Sequence, residues 1–231
     1  MFPLRDNIPS SRYPVVNSAI ILLNVVSFLY ELQLGSGLEG FIRTYGFVPA
    51  RFLTQLDTGA LSASMLPVFT AMFLHGGFLH LLSNMWILWI FGDNVEDSMG
   101  HARYLLYYLL CGLGSIMAQA AFVPDSALPL VGASWAIAGV LGGYFILYPR
   151  ARVVALLPIF IFFYLVDLPA YVFLGLWLGL QFLSGYAEFV AGGEAVRGGV
   201  AWWAHVGGFL SGLVLVWIFA ENRFLRRRSG G

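Results

Sequence analysis

The 231-residue chain has no lysine, a single cysteine and few charges of either sign. Charged residues make up 10% of it, while 59% are hydrophobic. A soluble domain carries about a quarter charged residues, so the composition is that of an integral membrane protein. The lone Cys111 lies in an apolar run. This excludes a disulfide framework and a cysteine metal cluster, and leaves a small buried hydrophobe. Twelve basic residues, all arginine, balance twelve acidic ones. Such a balance offers no polyanion-binding surface, and nucleic acid is not an expected partner. An H-E-x-x-H motif is also missing, because His75 and His80 stand five apart with no glutamate between them. No zinc or other metal site is expected, and no cofactor. With no repeat, heptad or low-complexity tract, one domain suffices.

Long apolar runs take the place of all this. Residues 15–34 form an uncleaved first span of about twenty residues, enough to cross the hydrocarbon core. Further spans are expected at 76–91, 103–123, 134–148, 168–184 and 200–220. The expected fold is therefore an all-α polytopic membrane protein, a bundle of six transmembrane helices. Residues 1–14 read as a short polar segment and 221–231 as a basic tail, with the membrane domain at 15–220 between them. Its first loop, 35–75, is long and rich in aromatics, which suggests an element lying in the headgroup region. A polar turn is expected around Asp93, Glu96, Asp97, Gly100 and His101. Residues from Val153 on read as an apolar connector broken by Pro158 and Pro169, and 185–199 as a mobile glycine-rich loop.

Six spans put both termini on one side. Nine arginines (5, 12, 103, 150, 152, 223, 226, 227 and 228) share that side, and three (43, 51 and 197) lie opposite. The positive-inside rule makes the termini cytoplasmic. The short stretch before the first span points to a prokaryotic plasma membrane.

Polar side chains inside spans are costly and default to functional hypotheses. Ser134 opens the fourth span within Gly132-Ala133-Ser134-Trp135-Ala136-Ile137-Ala138-Gly139. A serine there can be a helix N-cap, or a nucleophile whose oxyanion the helix N-terminus stabilises. His205 lies about five residues into the sixth span from the same side, roughly 7 Å. His80 lies about four residues into the second, with Asn84 one turn deeper on the same face. Groups from three spans thus converge on one level in the outer half of the membrane. Small residues at every fourth position, Ala204, Gly208 and Gly212 facing Ser134, Ala138 and Gly142, would let two backbones approach closely. That approach would bring the imidazole to the hydroxyl, as an activated nucleophile requires. Ser134 would attack a carbonyl and His205 would carry the proton, with the Ser134 amide, Asn84 and His80 at the oxyanion. No carboxylate lies at this depth, so a dyad is expected.

Ser134 in its G-A-S-x-A-I-x-G setting, His80-x-x-x-Asn84 and Ala204-His205-x-Gly207-Gly208 together resemble the rhomboid family of intramembrane serine proteases. The resemblance runs from about Tyr45 to Gly212 and includes Gly46-Phe47-Val48-Pro49, His75 to His80 and Tyr148 to Val153. It implies a six-helix, rhomboid-like core that cleaves transmembrane segments of other membrane proteins within the lipid bilayer. By the same resemblance Ser134 is the nucleophile, His205 the base, and His80, Asn84 and Gly132 oxyanion or substrate-positioning residues. His75 takes a supporting role, and the fifth span with its following loop resembles a gate and cap. The family usually has glycine after the serine, where this chain has Trp135. That indole could reshape the cavity or lower activity, so an inactive, client-binding relative is the alternative. A transporter would need polar residues continuing to the inner side, where these spans are mostly apolar.

Overall fold

The computed structural model describes residues 1–59, 61–190, 200–221 and 224, without the side chains of 61–64, 159, 188 and 189. Within them the chain is mostly helical. Helix α1, Val15–Gln33, is followed by three short helices, α2 Leu38–Tyr45, α3 Pro49–Asp57 and α4 Leu61–Thr70. Then come α5 Phe78–Met99, α6 His101–Phe122 and α7 Ser134–Leu147, and after a β-hairpin α8 Ala170–Val190 and α9 Trp202–Phe219. Four helices (α1, α6, α9 and residues 170–187 of α8) are long and apolar enough to cross a membrane. Helix α5 qualifies only jointly with residues 65–73, from which it is bent by 87°, and α7 is a shorter apolar helix. By this measure the spans among the described residues number four or five.

The expected polar turn after the second span is absent. Asp93, Glu96 and Asp97 belong to the last two turns of α5, and Gly100 alone makes the break to α6. Its φ of +79° is open to glycine and strained for other residues. The acids stay helical because each has a partner. Glu96 is 1% exposed and accepts from the Val16 and Asn17 amides at 2.9 and 2.7 Å. Those amides are helix-start donors of α1 that have no acceptor within the helix. Asp97 accepts from the Ser11 hydroxyl and amide in the same way.

The all-α expectation needs amending too. Residues 152–169 form not a loose connector but a hairpin, β2 Arg152–Ile159 and β3 Phe162–Pro169. The N-terminal segment adds β1, Phe2–Asp6, giving an antiparallel sheet of order β1-β2-β3. Valines and aromatics favour strands here. Pro158 is tolerated because β1 pairs with β2 only as far as Leu156, so beyond it β2 has one neighbour. The expected loop 185–199 begins later than anticipated, since α8 continues to Val190. The rest of that loop, with Glu194 and Arg197, and the arginines at 223 and 226–228 lie outside the described residues.

The core joins α6, α7 and α9 with almost no space between backbones. A β-carbon on Gly212 would lie 2.1 Å from the Gly139 carbonyl oxygen, and one on Gly142 2.2 Å from that of Phe209. One on Gly208 would meet the Trp135 carbonyl at 2.3 Å. The Tyr107 hydroxyl, fully buried, lies 2.7 Å from the Gly139 carbonyl oxygen and 3.1 Å from that of Gly212. Small residues in lipid thus do what hydrophobic side chains do in water, bringing helices into register.

Candidate active site

Ser134 is the first residue of α7, with Ala133 before it at the N-cap position and no side-chain capping bond. The serine hydroxyl therefore does not cap the helix. It lies 2.8 Å from His205 Nε2. The other ring nitrogen, Nδ1, lies 2.7 Å from Oε1 of Gln181 on α8. An amide oxygen only accepts, so Nδ1 carries the proton and Nε2 is left as acceptor for the serine O–H. Ser134 and His205 lie on α7 and α9, the two helices whose backbones meet through glycine. The ring also lies 6.0 Å from that of Trp177 and 6.3 Å from that of Trp202.

Gly132 lies two residues before the serine with φ +149°. Its amide donates to the Ala71 carbonyl at 2.9 Å, fixing the turn. A β-carbon there would stand 3.1 Å from His80 Nε2 and 3.3 Å from Ser134 Oγ. That point is a small space between an imidazole and the Ser134 hydroxyl, and only glycine leaves it open. His80 Nδ1 accepts from the Gly76 amide at 3.4 Å, which turns an Nε2–H toward the space. The Ser134 amide, at the start of α7, has no helical acceptor, and the positive end of the helix dipole adds to it.

Asn84 is one turn below His80 and its Nδ2 lies 3.1 Å from His75 Nε2. The His75 ring stands edge-on to His80 at 5.1 Å, and its backbone amide donates to the Glu31 carboxylate at 3.2 and 3.3 Å. His75 thus holds Asn84 from behind. Ser134, His205, His80, Asn84 and Gln181 line one cavity of about 290 Å³ between α5, α7, α8 and α9, together with Trp177 and Trp202. Trp135 is elsewhere. It is 2% exposed in the core, and its carbonyl accepts from Ser115 Oγ at 2.8 Å. The first loop reaches the site through its backbone, since Phe47 and Leu130 exchange amide–carbonyl bonds at 2.9 and 2.7 Å. Gln181 is the residue that sequence reasoning passed over. Its signal was the same as that of the others, an amide inside an apolar run.

A helical membrane protein with a serine–histidine pair in a lined cavity defines the class. The Rhomboid domain model matches residues 62–222, and the chain belongs to the rhomboid family. Rhomboid protein 1, mitochondrial, of Saccharomyces cerevisiae is 28% identical over 207 residues, 88% of this chain and 53% of that protein. RHOMBOID-like protein 6, mitochondrial, of Arabidopsis thaliana is 42% identical over 73 residues, 32% of this chain and 23% of that protein. The rhomboid protein YdcA of Bacillus subtilis is 34% identical over 130 residues, 54% of this chain and 63% of that protein. The matches thus cover less than two thirds of the length of each of these relatives.

Proposed function

We propose that the protein is an intramembrane serine endopeptidase that cleaves transmembrane segments of other membrane proteins. The observation that carries this reading is the 2.8 Å contact of Ser134 Oγ with a His205 ring whose other nitrogen is held by Gln181. Ser134 Oγ attacks the scissile carbonyl carbon as its proton passes to His205 Nε2. The oxyanion forms beside Gly132, where the Ser134 amide, His80 Nε2–H and the free N–H of Asn84 supply donors. His205 then gives its proton to the leaving amine as the C–N bond breaks. Water, deprotonated by the same nitrogen, attacks the acyl-enzyme and releases the acid, restoring the serine. Gly132 and His75 act through placement, Gly132 by leaving room and His75 by holding Asn84.

In this reading α5 and α7 are spans as well, which brings the number to six, over a membrane domain at 15–220. The short α7 suits a nucleophile lying below the surface, reached by water through the cavity. The nine-to-three arginine distribution supports termini on the cytoplasmic side. Two of the relatives named above are mitochondrial, and a prokaryotic origin is therefore unsupported. The client-binding alternative rested on Trp135, which is buried away from the cavity wall.

The test is cleavage of a single-span reporter by purified protein in liposomes, comparing wild type with Ser134→Ala and His205→Ala. Cleavage by wild type alone is the expected result. No cleavage of any of several reporters by wild type, with the protein folded, would overturn the proposal.

A further inference from the structure

The hairpin β2–β3 is the part of the fold that the proteolytic reading leaves without a role. From Val153 to Val166 it has no charged side chain. Its tip is bare: Phe160 is 98% exposed, Ile161 81%, Phe163 69% and Leu165 67%. In water such a patch is an aggregation hazard, so its surroundings have to be sought in its direction.

Strand β1 gives that direction, because it is fastened to α5 at two levels. At the lower level Asn94 Nδ2 donates to Asp6 at 3.1 Å. At the upper level Trp86 Nε1 donates to the Pro3 carbonyl at 2.7 Å, and the Phe2 and Trp86 rings stack at 5.7 Å. Trp86 and Asn94 are eight residues apart, about 12 Å along the helix. From Asp6 to Phe2 the strand therefore climbs from the acidic end of α5 toward its middle. Strand β2 runs alongside with Phe2 opposite Leu156, and it continues past β1 to Ile159. The tip thus points along the wall of the bundle, away from the end where Arg12 pairs with Glu221. Arg152 and Asp167, paired at 3.0 Å and half exposed, close the base of the hairpin. Trp89 of α5 and Leu176 of α8, on the helices that β1 and β3 touch, are themselves exposed apolar side chains.

We propose that the tip of the β2–β3 hairpin, residues 160–165, inserts into the bilayer leaflet on the side of the termini and is covered by lipid. The occupant is the acyl chains and inner headgroup region of the membrane that the protein spans. The charge-free run, the direction set by β1 and the ion pair at the base agree on this. The free edge of β3 limits the depth, because unpaired amides and carbonyls are costly in hydrocarbon. The tip therefore rests at the boundary between headgroups and acyl chains, as amphipathic interfacial elements do.

The test uses the full chain in nanodiscs with Phe160→Cys or, as an exposed reference at the base, Asn7→Cys. Native Cys111 is buried and silent. Position 160 is expected to react with a charged maleimide at least about tenfold more slowly than position 7, as an apolar interfacial site should. A bimane at 160 is expected to be quenched by acyl-brominated phosphatidylcholine, and one at 7 is not. Equal reaction rates would place the tip in water and overturn the proposal. Protection without quenching would mean that protein covers it, a second copy included, and would overturn it equally. Neither readout depends on proteolytic activity, so failure here leaves the catalytic reading untouched.

Discussion

Gln181 on α8 and His205 on α9 are joined by a 2.7 Å contact that fixes which imidazole nitrogen faces Ser134. The amide occupies the place where serine hydrolases commonly use a carboxylate. It orients the ring and selects its tautomer without bringing another charge to membrane depth. Replacing Gln181 by Ala should lower kcat about five- to thirtyfold. A buried hydrogen bond and its orphaned partner amount to roughly 1–2 kcal/mol, and 1.36 kcal/mol is tenfold in rate. KM should hardly move. Gln181→Glu keeps an acceptor oxygen and should recover most of the lost rate in the liposome assay, which a purely packing role would not predict.

Gly132→Ala should abolish cleavage while leaving Ser134, His205 and their contact in place. The added methyl would fall between His80 and the serine oxygen, where the oxyanion forms. The backbone at φ +149° adds strain of about 1–3 kcal/mol for a non-glycine residue. An active-site serine probe with a small phosphonate head separates the two effects. Lost labelling, with an unfolding temperature lowered by no more than that strain accounts for, is the expected pattern.

The residues that meet at the site could be read from the sequence because lipid makes polar side chains conspicuous. Ser134, His205, His80 and Asn84 stood out against apolar spans, and glycine spacing brought two of those spans together. What was illegible has a physical cause in each case. The hairpin turn at Phe160 and Ile161 uses φ +54° on a phenylalanine, with none of the asparagine or glycine that usually announces such a turn. Its apolar strands have the composition of a buried helix, and only pairing with β1 distinguishes them. Asp93, Glu96 and Asp97 looked like a loop because their partners are eighty or so residues away in sequence. Trp135 looked like an obstruction because sequence does not give the direction of a side chain on a helix whose whole surface is apolar.

Glu96→Ala should destabilise the fold by about 2–3 kcal/mol. The variant leaves two start-of-helix amides of α1 unpaired in a buried place, beyond the cost of an ordinary lost cap. Glu96→Gln retains one acceptor oxygen and should lose about half as much. Thermal unfolding in detergent, followed by the accessibility of Cys111 to a thiol dye, measures both.

Asp6 should make stability fall as pH rises. Burial pushes its carboxyl above the usual value of 3.8, and the hydrogen bond from Tyr144 offsets this only in part. The folded chain then holds the proton more tightly than the unfolded chain. The contribution is fully present below pH 3.8 and is lost as pH rises through the folded value. Asp6→Asn removes this linkage and keeps a carbonyl oxygen for Tyr144. Its unfolding temperature relative to wild type should climb between pH 4 and 7, and a constant difference would refute the assignment.

Gly212→Ala tests whether backbone contact between α7 and α9 sets the catalytic distance. The new methyl would stand 2.1 Å from the Gly139 carbonyl oxygen, which is backbone and cannot turn aside. The helices must part, at an overpacking cost of about 1–3 kcal/mol. Ser134 and His205 lie on those helices, so their 2.8 Å contact must lengthen with the separation. Activity should therefore fall far more than stability, because proton transfer needs hydrogen-bond reach while the fold tolerates small shifts. Leu210→Ala, at a lipid-facing position of the same helix, is the comparison. It should leave cleavage nearly unchanged. If both variants lose activity in proportion to their lost stability, the glycine contact holds the bundle together without setting the chemistry.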